Sequence, residues 1–284
     1  MPKHITRNLT PHFTHITSGI CTLIATCTLM TTPLNAQDPN PNRTSLPEGA
    51  TSVTENNKST DAKSPFADLK KDIKTIDENT IQIGKLKLHK KEHTITFPAK
   101  INSETKDLLE YLIINPHGKA HEALLVTDLR PAHLNIAMKL LGYKESLELF
   151  QKLDDQHLPT GEYHEVSKEV KKASRFHIYV SWSHQGENKN VHINDLLIHI
   201  HTKKSPPIHP FIYNGSYIYA GKFKADESGD LIAVYTDRGS IANYAGDGRD
   251  DDSLWYINRE LIPEKLKDVT VTFKKHIEKQ NDEH

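Results

Sequence analysis

Residues 81–97 read IQIGKLKLHKKEHTITF, and the spacing of their apolar residues decides the fold. Ile81 and Ile83, then Leu86 and Leu88, then Ile95 and Phe97 alternate with polar residues, the period of a half-buried strand. Gly84 marks a bend or bulge, and Pro98 is expected to stop the strand begun at His93. Downstream, residues 107–114 read as a buried strand. Asn115-Pro116-His117-Gly118 reads as a turn, because Pro fixes φ and Gly accepts positive φ. Residues 122–126 are expected to return as its hairpin partner. Further strands are expected over 176–182, 196–201, 211–223, 230–236 and 269–273, separated by Pro206-Pro207, Gly215, Gly221, Gly229 and Gly239.

One helix interrupts this pattern, at about 131–141. Asp128 suits its N-cap, Pro131 its first turn, and Leu134, Ala137, Met138 and Leu141 make one face before Gly142 ends it. Residues 144–153 read as a second helix or a variable insertion. The class is α+β, predominantly β, with antiparallel sheet packed about one main helix.

The N-terminus has a different character. Lys3 and Arg7 precede an apolar-leaning stretch, 16–30, and then Ala36. These are the three parts of a secretory signal, so residues 1–36 are expected to be removed on export, leaving no retained transmembrane helix. Ile20 before Cys21 and Thr26 before Cys27 are not the small residue that a lipidated cysteine requires. Both cysteines lie in this segment. The mature chain therefore has no thiol to form a disulfide or hold an iron–sulfur cluster. Residues 38–61 hold almost no large apolar side chain and cannot offset their ordering entropy. We expect a disordered spacer over 37–77, with a short helix near 66–76 carried by Phe66, Leu69, Ile73 and Ile76. The folded domain then spans 78–277, and 278–284 is a disordered tail.

The 284 residues carry a net charge of −1. That excludes the broad basic field of a non-specific nucleic-acid binder and a polybasic membrane anchor. The 18 histidines give the surface a charge that changes with pH near neutrality.

Several blocks carry a resemblance. They are Phe97-Pro98-Ala99-Lys100-Ile101-Asn102, Glu110-Tyr111-Leu112-Ile113, residues 118–127 (GKAHEALLVT), residues 131–138 with Leu141-Gly142, Tyr213-Asn214-Gly215-Ser216, Asp237, and residues 248–255 (GRDDDSLW). In these the chain resembles the YdjY domain family over most of residues 80–275. The resemblance implies an exported bacterial domain of unestablished function. Some members carry a ferredoxin-like label, from which this chain departs because its mature part has no cysteine.

Three polar groupings stand out as candidate sites. His121, Glu122 and His133 flank the expected strand–turn–helix connection. Two imidazoles and a carboxylate suit a divalent metal with an open position for water, and so a metal-dependent hydrolase. Against this, consecutive strand residues point to opposite faces, and HExxH is absent because position 125 is Leu. The plainer alternative is that the histidines satisfy backbone groups around the turn. Asp247, Asp250, Asp251 and Asp252 form an acidic loop. Its oxygens suit Ca²⁺, but the spacing is not that of an EF-hand, and a solvated loop with Arg249 pairing locally is plainer. His199 and His201 share one face of an expected strand. No P-loop and no nucleophile elbow is present. Two classes remain: a non-catalytic exported module that binds an envelope protein, peptide or glycan, and a metal-dependent hydrolase. The spacer favours the first, since reach matters more to an adaptor. No cofactor is expected, although a divalent metal stays open at the histidines.

Overall fold

The alternation that begins at Ile81 builds a sheet that closes on itself. The computed structural model describes residues 46–277 apart from 48, 54–63, 107 and 157. The expected signal segment 1–36 and the tail 278–284 lie outside the described residues. In chain order the elements begin with a 3₁₀ turn, Ala67–Asp72, followed by strands β1 (Ile73–Thr75), β2 (Thr80–Ile83), β3 (Leu86–His89) and β4 (Thr94–Ile101). Next come β5 (Tyr111–Ile114), a 3₁₀ turn at Ala120–Glu122, β6 (Ala123–Val126) and helix α1 (Pro131–Leu140). Then follow β7 (Gln151–Leu153), β8 (Pro159–Tyr163), α2 (Lys168–Ser174), β9 (Arg175–His184), β10 (Glu187–His192) and a 3₁₀ turn at Ile193–Leu196. The rest is β11 (Leu197–His199), β12 (Phe211–Tyr213), β13 (Ile218–Tyr219), β14 (Lys222–Phe223), α3 (Lys224–Ser228), β15 (Asp230–Ala233), β16 (Ala242–Tyr244), β17 (Trp255–Ile257) and β18 (Asp268–Lys275).

The main sheet runs β4-β18-β9-β12-β16-β15-β5-β6, and β6 pairs back onto β4, so these strands form a closed barrel. β1, β2 and β3 extend it beyond β4, and β10 pairs with β9. Among the described residues, closure leaves this sheet open edges only at the added strands β1 and β10. The pairings are antiparallel except β5 with β6 and β15 with β16. The class is thus the α+β, mainly β fold that the alternation predicts.

Cross-strand partners share one buried face. Ile95 and Phe97 on β4 stand opposite Phe273 and Val271 on β18, which stand opposite Ile178 and Val180 on β9. The face continues through Phe211, Tyr244 and Ile232 to Ile113 and Leu125. Phe273 and Phe176 stack at 4.8 Å, and Phe97 meets Phe273 edge-on at 5.4 Å. Burying each such side chain contributes about 1.5–3 kcal/mol. α1 adds Leu134, Ala137 and Met138 to this core. Its buried Asn135 accepts a hydrogen bond from the Tyr213 hydroxyl at 2.6 Å.

The ends of α1 show which local signals held. Gly142 has φ +73 and stops the helix as expected. Asp128 does not cap it and instead pairs with Lys85 at 2.7 Å. The N-terminal Ala132 amide donates to Asp226 on α3, which also holds Arg130 at 2.8 Å. The cap comes from a residue distant in sequence, so no local pattern announces it.

Other expectations are corrected. Residues 144–153 contain no helix; 151–153 form β7. Pro98 does not end its strand but lies inside β4. It falls where β4 changes neighbour, from β3 at Thr94–Thr96 to β6 at Lys100–Ile101. A ladder tolerates a residue without an N–H at such a gap. The β5–β6 hairpin is not formed, because the two strands are parallel. The connection 115–122 runs back along β5, turning at Gly118 and again at Ala120–Glu122.

Residues 64–77, expected to hold a short helix that either docks on the domain or continues the spacer, pack into the domain. The helix near 66–76 is a 3₁₀ turn that ends at Asp72, and Ile73 opens β1, which pairs with β2. Leu69 is fully buried there. Thr51 also bridges to Ile218 through reciprocal bonds of 2.8 Å, and Val53 joins the main core. No described helix is long and apolar enough to cross a membrane.

Candidate functional site

Next to this core, Ala233, Tyr111 and Ala123 stand opposite one another on β15, β5 and β6. With Ile114 they form a small separate cluster. The 115–122 connection folds over it and brings Lys119 above the Tyr111 ring, with Nζ 5.4 Å from the centroid. Lys119 Nζ is also 3.6 Å from Glu110 Oε2 and 3.9 Å from Glu122 Oε2. His121 Nε2 lies 3.1 Å from Glu122 Oε1. Lys119 and His121 are about half exposed, whereas Glu110 and Glu122 sit lower.

Asp230 lies beneath this rim, at the start of β15. It is 5 % exposed, and its Oδ1 has no hydrogen-bond partner among the described residues. Burial, then the nearby Asp237 charge, pushes its carboxyl up to about 6. A methyl group on Gly118 would sit 3.1 Å from Asp230 Oδ1, and one on Gly229 would sit 2.7 Å from the Gly118 amide. The two glycines let the connection close over the acid.

Behind Asp230 is a buried polar network. Tyr111 Oη donates to Asp237 Oδ2 at 3.5 Å, and Ser240 Oγ donates to the same oxygen at 2.8 Å. The Gly239 amide donates to Asp237 Oδ1 at 2.9 Å. Asn243 accepts from the Asp237 amide at 2.7 Å and donates to the Asp237 carbonyl at 2.9 Å. Asn214 donates to the Ser240 carbonyl at 2.8 Å, and Arg238 donates to the Ser216 carbonyl at 2.8 Å. The blocks 213–216 and 237–243 thus fold as one hydrogen-bonded unit. Paired in this way, buried polar groups avoid the cost of an unmade bond.

The expected site residues are only partly brought together. His121 and Glu122 meet because they lie in the 3₁₀ turn Ala120–Glu122 and not on a strand. His133 is elsewhere: its Nε2 is 3.1 Å from Asp72 Oδ2, and its ring packs against Gly84. Among the described residues no group of three or more His, Cys, Asp or Glu side chains is placed to hold a metal ion. In the acidic loop, Asp251 accepts from the Ser253 amide and hydroxyl, at 2.9 and 2.6 Å. Asp250 accepts from Thr236 Oγ1 at 3.4 Å and pairs with Arg249 at 3.6 Å. Asp247 contributes to raising the Tyr244 hydroxyl, which burial pushes up to about 12. Asp252 has no partner on this network. β11 ends at His199, so His201 lies in the following turn; its amide donates to His199 Nδ1 at 3.1 Å.

Sequence reasoning did not single out Lys119, Glu110, Asp230 or Asn243 as site residues. The readable signal was a polar residue inside an otherwise apolar strand, as Asn243 is between Ala242 and Tyr244.

The fold and the network define a closed, mainly antiparallel barrel with a polar cluster under one rim. The YdjY domain model matches residues 86–274, and the chain belongs to that family. No curated protein and no solved structure matches it.

Proposed function

We propose that this chain is an exported envelope domain that binds a partner, an envelope protein, peptide or glycan, and is not a catalyst. One observation carries the reading. The buried polar side chains beneath the rim are tied to one another and to the backbone around Asp237, while Lys119 stands half exposed over the Tyr111 ring and His121 half exposed beside Glu122. That arrangement braces a mixed-charge surface, which suits recognition, where charge sets partner choice and encounter rate. The alternative hydrolase requires His121, Glu122 and His133 to converge, and His133 is committed to Asp72.

The test is co-sedimentation of the exported form with envelope fractions of its own cell, wild type against Lys119→Glu. The reading expects wild-type retention and a loss of about tenfold in the variant, the scale of one well-placed interfacial charge. Equal retention of both proteins, or metal-dependent turnover of ester or peptide substrates, would overturn it.

A further inference from the structure

Three histidines outside this site form a linear chain. His177 on β9 lies with Nδ1 3.2 Å from His192 Nε2 and Nε2 2.8 Å from His276 Nδ1. The far end is fixed by the backbone, since the Asn194 amide donates to His192 Nδ1 at 3.2 Å. His192 closes β10, and His276 follows directly on β18.

The donor at Asn194 decides every proton in the chain. His192 Nδ1 must accept, so in the neutral ring the proton sits on Nε2 and is donated to His177 Nδ1. His177 then carries its proton on Nε2 and donates to His276 Nδ1. With three neutral rings every link is made, in one direction only. An added proton has no place. If it enters at His276 Nδ1, that N–H faces the N–H of His177. Shifting His177's proton to Nδ1 moves the conflict to His192, and shifting again ends at the Asn194 amide, which cannot accept. One extra proton therefore breaks one link wherever it enters.

We propose that the His192–His177–His276 chain is a proton-operated latch, which holds the end of β18 against β9 while its rings are neutral and releases His276 when one proton is taken up. The surroundings favour the neutral state. Lys274 stands opposite His177 in the β9–β18 register. Tyr179 meets the His192 ring edge-on at 5.4 Å. The Asp195 carboxylate is engaged by the His192 backbone amide, and Arg175 by Glu148. Burial, then His276, pushes His177 down; burial, then His177, pushes His192 down to about 4. Because His192 is 4 % exposed, the break falls at the outer link, between the half-buried His177 and His276. For groups shifted this way the stabilising contribution is full above about 6.5 and is lost as pH falls.

The test is NMR of the histidine-¹⁵N-labelled chain across pH 7.5 to 4.5, reading ring tautomers and the N–H···N scalar couplings, with amide protection measured at residues 274–277. At pH 7.5 all three rings should carry the proton on Nε2, with couplings across both links. Acidification should remove the His177–His276 coupling in step with a fall in protection of about fivefold, the scale of one net hydrogen bond. In His276→Gln, whose side chain accepts but does not titrate, protection should stay constant with pH after correction for intrinsic exchange. The opposite tautomers, no coupling at pH 7.5, or the same loss of protection in His276→Gln would each overturn the latch.

Discussion

Asn243 Nδ2 donates to Asn214 Oδ1 at 2.8 Å and ties together two segments 29 residues apart in the chain. The same Asn243 side chain holds both backbone groups of Asp237, so one residue satisfies partners on both sides. Asn243→Ala leaves several buried groups unpaired at once. We expect a loss of about 3 kcal/mol, the range for stranding buried polar partners. Urea denaturation measures it, and a loss below about 1 kcal/mol would show the network to be slack.

Asp230 gives a pH signature of known sign. Its carboxyl is raised from 3.8 to about 6, so the folded state binds this proton more tightly than the unfolded chain does. Its contribution to stability is full below 3.8 and is lost as pH rises through about 6. Asp230→Asn, which cannot ionise, should raise stability at pH 7.5 by about 2 kcal/mol and give no gain at pH 4. An equal effect at both pH values would mean that the buried charge is not the cause.

Gly84 and His133 are predicted to be coupled. Gly84 has φ +54, and a Cβ there would come within 2.3 Å of His133 Nδ1. Gly84→Ala therefore meets both backbone strain and a clash, for a cost of about 3 kcal/mol. His133→Ala removes the clash. In a double-mutant cycle the pair should cost less than the sum by about 1 kcal/mol or more. Strict additivity would contradict the contact.

The domain's beginning is also testable. A chain starting at residue 78 lacks the buried Leu69 and strand β1. It should be less stable than one starting at residue 64 by about 2 kcal/mol or more, the transfer free energy of one buried leucine. Equal melting curves would place the boundary back at 78.

Much of the fold was legible because period-two alternation is a direct image of a strand's two faces. Ile81 to Phe97 announced β2, β3 and β4, and Pro131 to Gly142 announced α1. What failed depended on tertiary partners. Residues 122–126 have the same pattern whether they return antiparallel or parallel to β5. Pro98 reads as a stop, yet it sits at the gap between two neighbouring strands. The helical spacing from Phe66 to Ile76 gave way at Ile73, where β2 offers a pairing edge. In the candidate site, His121 and Glu122 meet while His133 lies apart, and nothing local in the sequence reveals that Asp72 faces it. The family blocks marked 213–216 and Asp237 without saying that they hydrogen-bond as one unit.

We propose above that the rim around His121 and Glu122 is a braced binding surface and not a metal centre. The test is the melting temperature of the chain from residue 37, and of its His121→Ala variant, titrated with Zn²⁺ and Ca²⁺. An ion that binds only the native state must raise stability by mass action. No saturable rise is expected in the wild type, and the same flat response in the variant. A saturable rise that His121→Ala abolishes would contradict the binding-surface reading and make the metal-site reading the correct one.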